Sequence, residues 1–354
     1  MHDETQSSEL ELTVIIPARN EELSLPICLN SLLSQSEPGF ELGRHWNLIV
    51  VNDDSSDRTQ AIAEQAAHRH AGVIVLNAPP LDTGRRGGFT GKNNACWAAA
   101  QQARGRWLLF TDADTVHEPG DLSQALREAE RHHVVLLSYS PRQLVSGFWQ
   151  RALMPLVFSE LASVYPPQQV NDPERRVAAA NGQFLLIDRE TYFAVGGHRA
   201  VAADVLEDVA IARNVKNSRR TIRFRYAPEA LSTRMYRTTR EMIEGWTKNL
   251  ALLMPRPIYL AFWRALDLVL FFGLPILAFG IPWLVLWRAA ILLLWARTLW
   301  RFYNRAARSN FPFFDIAISI FGVPLFLWLL IRSVIHHNLK HSVTWKGRSY
   351  RAGR

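Results

Sequence analysis

The chain has 354 residues, 48% of them apolar, which allows one large catalytic domain with an appended element or two ordinary domains. Its formal charge of +8 is placed unlike that of a nucleic-acid binder. From Arg332 to Arg354 there are six Lys/Arg and no Asp or Glu, directly after an apolar segment, with no aromatic-and-basic recognition motif; such a run marks a cytoplasmic face drawn to anionic lipid.

The polar, acidic start, Met1 to Glu11, carries no pattern that would send the N-terminal part through a membrane. Leu12 to Ile16 then reads as a short strand ending at Pro17, with a helix from Ser24 to Leu33. Asn47 to Val51 is a second strand, and Asp57 caps a helix through Ala67. Val73 to Leu76 is a third strand, Gly91 opens a helix to about Ala103, and Trp107 to Phe110 is a fourth strand. Cys28 and Cys96 fall in predicted helices with neither a metal spacing nor a disulfide framework, which fits a reduced compartment. Apolar strands alternating with helices predict an α/β fold with a parallel sheet covered on both faces, and ligands bind at the carboxyl ends of such strands. Further on, Phe184 to Ile187 reads as a strand, Val205 to Val215 as a helix, and Arg240 to Leu253 as an amphipathic helix carrying Trp246 and Lys248.

From there the composition turns apolar. Leu266 to Trp287 and Phe311 to Ile331 are long enough to span a hydrocarbon core of about 30 Å. Arg288, Arg297, Arg301, Arg305 and Arg308 lie between them. One reading has two spans joined by an amphipathic helix; another turns a hairpin at Gly280-Ile281-Pro282 and counts three. The predicted organisation is a catalytic domain over 1–255, a transmembrane or interfacial helical region over 256–338 and a basic cytoplasmic tail over 339–354.

Four polar clusters follow predicted strands or open predicted helices. Asp112 and Asp114, spaced i and i+2 past an apolar strand, can bind one Mg²⁺ or Mn²⁺ and leave positions for phosphate oxygens; a solvated turn is the alternative. In Asn52-Asp53-Asp54-Ser55-Ser56-Asp57, Asp53 suits the imide of a uracil or a ribose, while Asp57 suits turn and cap chemistry. Gly84 to Lys92 joins glycines, three cations and a helix start, which suits a diphosphate, although Asn93 after Lys92 departs from the phosphate-loop pattern. Glu207 and Asp208 are adjacent acids at a helix start; their repulsion raises one pKa toward that of a general base, unless both simply stabilise the helix N-terminus.

Together these pieces resemble the family 2 glycosyltransferases of GT-A fold. Val14-Ile15-Ile16-Pro17-Ala18-Arg19-Asn20-Glu21-Glu22 is similar to that family's opening strand and nucleotide-contacting loop, which assigns Pro17, Ala18, Asn20 and Glu21 to the nucleotide sugar. Asn52 to Asp57 is similar to its D-D-G-S-T-D segment, with Asp54 where the family has glycine, and implies a uracil contact for Asp53. Asp112 and Asp114 match the metal-binding D-x-D, and Asp112 also faces the donor. Asn181 to Phe184, Gly196-Gly197-His198 and Glu207-Asp208 follow in the family's order, and Asp208 matches its catalytic base. Gly91-Lys92, Glu244 to Asn249 and Trp345 to Tyr350 look like the bacterial membrane-bound branch acting on carotenoid, hopanoid or sphingolipid-like acceptors; Trp246 and Lys248 are assigned to the acceptor side, with packing under the site the equal alternative for Trp246. The family's Q-x-x-R-W signature survives only as Trp246 of Met242-Ile243-Glu244-Gly245-Trp246.

The resemblance implies an inverting, metal-dependent transfer of a hexose from a nucleotide sugar, a UDP-sugar by preference, to a lipid-like acceptor. The expected setting is the cytoplasmic face of the inner membrane, with anionic lipids as partners and no nucleic acid. Alternatives are a processive polysaccharide synthase, which needs more spans, a silent membrane nucleotide-sugar sensor, and a nucleotidyl transferase that would release pyrophosphate.

Overall fold

The computed structural model describes residues 10–35, 37–81, 88–282, 284–337, 342–345 and 348–351. The chain divides into two compact units, one built mainly from Met1–Leu144 and Pro167–Met235, the other from Val145–Pro166 and Tyr236–Ala352.

In chain order, the elements run β1 (Leu12–Ala18), α1 (Leu25–Leu33), β2 (Trp46–Asn52), α2 (Thr59–Arg69), β3 (Val73–Asn77), α3 (Gly91–Gln102), β4 (Trp107–Phe110) and β5 (Thr115–His117). Then come α4 (Asp121–Arg131), β6 (Leu136–Ser140), β7 (Arg142–Gln143), α5 (Gly147–Val164), α6 (Pro167–Val170), β8 (Leu185–Asp188), α7 (Arg189–Ala194) and α8 (Gly197–Ala200). Next are α9 (Glu207–Asn217), β9 (Ile222–Tyr226), β10 (Leu231–Thr233), α10 (Thr239–Leu253), α11 (Pro257–Gly280) and α12 (Val285–Ala306). The last are α13 (Phe313–Ile318), α14 (Val323–Ile335), β11 (Ser342–Trp345) and β12 (Arg348–Arg351).

The first unit is built on a seven-stranded sheet of order β3-β2-β1-β4-β8-β6-β9. Leu12, Val14, Ile15 and Ile16 of β1 and Leu48 to Val51 of β2 are fully buried, as expected of strands covered on both faces. β1 lies parallel to β2 and β4, while β8 runs antiparallel between β4 and β6. The sheet is therefore mostly parallel, as the GT-A resemblance implied, with β8 alone reversed. β1 continues through Pro17 to Ala18, which stands opposite Asn52 of β2, so the chain leaves both strands at the same level. β4 stops sooner, with Phe110 opposite Ile15. These endings put the polar segments after β1, β2 and β4 on one edge of the sheet.

The second unit holds α5 and α10 together with the apolar helices that follow. Trp246 is 3% exposed, and its Nε1 donates to Met154 Sδ over 3.3 Å. Gly245 occupies the position that carries arginine in the family's signature. A Cβ there would stand 2.4 Å from the Tyr236 hydroxyl oxygen, so the Tyr236 ring packs where a side chain would otherwise begin. Arg240 is exposed and paired with Glu244 at 3.1 Å.

Among the described residues, two segments are long and apolar enough to cross a membrane, Pro257–Gly280 with mean hydropathy 1.8 and Phe313–Ile335 with 2.2. The first, at 24 residues, is about 36 Å long. The apolar run from Leu266 to Trp287 is not one helix: α11 ends at Gly280 and α12 starts at Val285. Pro282 denies the chain a helical donor just past Gly280. The helices then pack back to back, with Trp295 Nε1 donating to Phe271 O over 3.1 Å and Phe271 set edge-on to Phe302 at 5.1 Å. A 3-10 turn, Ser319–Gly322, separates α13 from α14 within the second segment.

Candidate active site

The loops that leave β1 and β2 are tied to each other by side chains. Arg19 Nη1 donates to the carbonyls of Asp53 and Asp54 at 2.7 and 2.8 Å. Asn20 N–H donates to Ser55 Oγ over 3.1 Å, and Asn20 Oδ1 accepts from Ser56 N over 2.9 Å. Glu22 N–H donates to Asp57 Oδ2 over 3.1 Å, while Asp57 Oδ1 accepts from Thr59 N over 3.0 Å. Asp57 thus lies one residue before the N-cap Arg58, holds the backbone at the start of α2 and staples the neighbouring loop. Burial works against ionisation of Asp57, but its bonds from Thr59 and Glu22 outweigh that and hold its pKa below the usual aspartate value.

Asn20 and Asp54 both adopt φ of 54°, in the left-handed region. Asparagine and aspartate tolerate that conformation better than other residues with a Cβ. This accounts for aspartate where the D-D-G pattern has glycine. Ala18 and Asp53 are buried at 1% and 5% exposure, Glu21 is half-buried and Asn20 exposed.

Next to this loop pair, a small enclosed cleft is lined by Pro17, Lys92, Asp112, Gly182, His198, Glu207 and Asp208. Lys92 sits on the first turn of α3, whose N-cap Thr90 accepts from Asn93 N–H over 3.2 Å. Its Nζ stands 2.7 Å from Asp112 Oδ1 and 2.8 Å from Glu207 Oε1. The cation and both acids were expected to serve the donor and the chemistry; their mutual ion pairing was not foreseen. Asp208 Oδ2 accepts the Gly182 N–H over 2.8 Å, and Oδ1 accepts from Val209 N over 2.7 Å. A Cβ at Gly182 would fall 2.8 Å from Lys92 Nζ and 3.4 Å from Glu207 Oε1, so a side chain here would displace the ammonium.

The three charges set one another's protonation. Burial alone would lower Lys92, yet Asp112 and Glu207 hold it well above the ordinary lysine value. Burial raises Glu207, but the neighbouring ammonium overrides it and keeps the carboxyl below its usual range. For Asp208, burial and then the Glu207 charge push the pKa up to about 7, against the opposing pull of Lys92 and the two backbone N–H groups. One acid stays charged and its neighbour is poised near neutrality, a division suited to a general base. His198 is held neutral, its pKa pushed down to about 3 by burial, and its Nδ1 lies 2.9 Å from the Tyr192 hydroxyl.

Beneath the Asp112–Asp114 turn lies a polar network that sequence reasoning missed. Thr111 Oγ1 donates to Gln183 O over 2.8 Å and lies 3.0 Å from His117 Nε2, whose Nδ1 is 2.6 Å from Asp121 Oδ2. Thr233 Oγ1 donates to Asp114 O over 3.2 Å and accepts from Gln183 Nε2 at the same distance. The network draws on β4, β5, α4 and β10, so no local motif announces it.

Asp112 and Asp114 supply hard carboxylate oxygens, the donor type that Mg²⁺ and Mn²⁺ prefer. Among the described residues no group of three His, Cys, Asp or Glu could hold a metal. Two carboxylates do not complete a metal's shell, so a cation here would need phosphate oxygens and water besides, and Asp112 is paired with Lys92. Of the glycine- and cation-rich segment from Gly84 to Lys92, residues 84–87 lie outside the described residues, as do Lys346 and Gly347. Trp246 and Lys248 belong to the second unit, where Trp246 is core and the Lys248 carbonyl lies 2.7 Å from His337 Nε2.

Comparison with known proteins matches residues 13–209 to the family described as "Glycosyl transferase family 2". The 4,4'-diaponeurosporenoate glycosyltransferase of Staphylococcus haemolyticus is 28% identical over 357 aligned positions, covering 96% of this chain and 88% of the relative. The Staphylococcus aureus protein of the same name is 27% identical over 68% of this chain and 60% of its own length. Among solved structures, a mannosyltransferase of Pyrobaculum calidifontis in complex with GDP-Man and Mn²⁺ has a TM-score of 0.52 at 16% identity, covering 94% of this chain and 88% of that one. The mixed sheet and its flanking helices are a GT-A-like α/β fold, as the motifs predicted.

Proposed function

The chain belongs to glycosyl transferase family 2 and is a glycosyltransferase, and on that premise we propose that it moves a hexose, with inversion, from a UDP-sugar to the acid or alcohol oxygen of a long isoprenoid lipid at the cytoplasmic membrane face. The observation that carries this reading is the placement of Asp208, raised to about pKa 7, beside the Lys92–Glu207–Asp112 ion cluster. The acceptor class follows the staphylococcal relatives, named for a carotenoid acid. The two long apolar segments support membrane association, and the basic tail supports the cytoplasmic side.

In this reading the loops after β1 and β2, with Pro17, Ala18, Asn20, Glu21 and Asp53, take the nucleotide. Asp112 and Asp114 would hold Mg²⁺ or Mn²⁺, which offsets charge on a diphosphate. Lys92 stands ready to move from Asp112 toward a phosphate oxygen. Asp208 takes the proton from the acceptor O–H as that oxygen attacks the anomeric carbon, whose bond to the diphosphate oxygen breaks and releases UDP. A carboxylic acid held at a bilayer surface keeps its proton near neutral pH, because desolvation raises its pKa. A base is thus useful for an acid acceptor as well as for an alcohol.

The test is nucleoside-diphosphate release by the detergent-solubilised protein with a panel of UDP- and GDP-sugars and lipid extract, with and without Mn²⁺. Lipid-dependent UDP release supports the proposal. Pyrophosphate release would instead mark a nucleotidyl transferase, and nucleotide binding without turnover a sensor.

A further inference from the structure

The second unit contains a cavity of about 480 Å³ bordered by α5, α11 and α12, within the range of small-molecule sites. Its walls are of two kinds. Tyr259, Trp263, Leu266 and Leu270 of α11 give an apolar side. Four arginines, Arg256, Arg264, Arg301 and Arg305, face two carboxylates, Glu160 and Asp267, leaving positive charge in excess.

The ion pairing inside this cavity is incomplete. Arg264 is only 5% exposed, and its Nη1 lies 2.6 Å from Asp267 Oδ2. Its Nε, however, makes no hydrogen bond, and the carboxylate it faces, Glu160 Oε1, is 3.8 Å away. Arg305 also reaches Glu160 and Asp267 only at 3.8 Å each. Among the described residues, the side chains of Arg256 and Arg301 show no ion pair or hydrogen bond, and Arg301 acts on Asp267 only through its charge. A buried guanidinium with an unmade bond is costly, and an oxyanion entering the cavity would remove that cost with charge-assisted, planar contacts.

The surrounding surface indicates what the anion is attached to. α11 and α12 pair as a hairpin whose turn exposes Ile276, Phe279, Leu284, Val285 and Leu286 at 70 to 84%. Asp267 faces Arg305 across the hairpin, and Phe271 faces Phe302 one turn further along α11. The charged groups are thus at the end of the hairpin away from its apolar turn. An apolar tip with a guanidinium-rich base matches a bilayer's interior and headgroup level.

We propose that this cavity binds one long-chain amphiphile with an oxyanion head. Arg264, Arg301 and Arg305 take the head, and the chain lies along Trp263, Leu266 and Leu270. The carboxylate of a free lipid acid and the phosphate of a membrane phospholipid share this chemistry. The site stands on its own, independent of the transfer reaction.

The test is native mass spectrometry of the full, delipidated chain titrated with palmitic acid, hexadecanol, phosphatidylglycerol and phosphatidylcholine. The expected result is saturable binding of one anionic amphiphile, at least about tenfold tighter than its neutral counterpart. Preference for palmitic acid identifies a free acid, and preference for phosphatidylglycerol a bilayer lipid. Arg301→Gln with Arg305→Gln should abolish the preference, whereas Arg297→Gln with Arg308→Gln, which removes equal charge outside the cavity lining, should keep it. The single Arg301→Gln change, at an exposed side chain, should weaken it without risk to the fold. Equal binding of neutral and anionic probes, or equal loss in the control pair, would overturn the proposal.

Discussion

Lys92 Nζ lies 2.8 Å from Glu207 Oε1, joining the first turn of α3 to the first turn of α9 across the cleft. The pair keeps Glu207 charged, and the charge of Glu207 is what helps raise its neighbour Asp208. Lys92 thereby acts on the base in two opposite ways: directly it favours the Asp208 carboxylate, and through Glu207 it maintains the negative charge that opposes it.

Asp208→Asn should lower kcat for transfer by about 10² to 10⁴-fold, the usual range for loss of a general base. UDP binding, measured by calorimetry, should change little. In the wild type, kcat/KM should fall as the pH drops through about 7, where Asp208 takes up its proton; an acid limb that persists unchanged in Asp208→Asn would remove Asp208 from that role.

The same shift makes a stability prediction. The folded-state pKa of Asp208, about 7, lies above its ordinary value of 3.8. Its contribution to stability is therefore fully present at acid pH and is lost as the pH rises through about 7. Asp208→Asn should melt higher than wild type at pH 8, and that advantage should shrink by pH 4 in detergent thermal scans.

Lys92→Met leaves Asp112, Glu207 and Asp208 without their shared cation. With Glu207 still ionised, loss of the direct pull of Lys92 on Asp208 should move the acid limb to higher pH. With the phosphate contact removed as well, kcat/KM should fall by about 10²-fold or more. Gly182→Ala, which sets a Cβ 2.8 Å from Lys92 Nζ, should reproduce part of this loss, about tenfold, with an unchanged circular dichroism spectrum.

A chain ending at Met254 should be insoluble even though it retains the whole sheet. Within the second unit, Ser333 Oγ accepts from the Ala251 N–H over 2.9 Å, and α10 packs along α14. Cutting there strips α5 and α10 of their apolar cover, exposing a large hydrophobic patch. Size-exclusion chromatography would read the result, and a monodisperse product would count against it.

Much of the site was legible because its parts are local. Apolar runs that end abruptly, such as Trp107 to Phe110 before Thr111-Asp112-Ala113-Asp114, show both the strand and the polar turn after it. The same holds for Val51 before Asp53. Besides the network under the Asp112–Asp114 turn, three further features were not legible. Phe184 to Ile187 reads as a strand, but its antiparallel direction between β4 and β6 depends on partners far away in the chain. The Lys92–Glu207 bond joins two helix starts that no spacing connects. Helix α5 has ten of its 18 residues buried and an internal proline, so it lacks the one-sided periodicity that marks a surface helix. The left-handed Asp54 was hinted at by its alignment with a glycine, and the structure supplies the reason.

Base catalysis by Asp208 in lipid glycosylation is tested by product formation from UDP-glucose and a long-chain isoprenoid acid, with Mn²⁺, by wild-type protein and by Asp208→Asn in parallel. Wild-type protein should give UDP and a glycosylated, extractable lipid in equal amounts, and the variant neither above background despite retained UDP binding. Equal turnover by both proteins, or pyrophosphate in place of UDP, would contradict it.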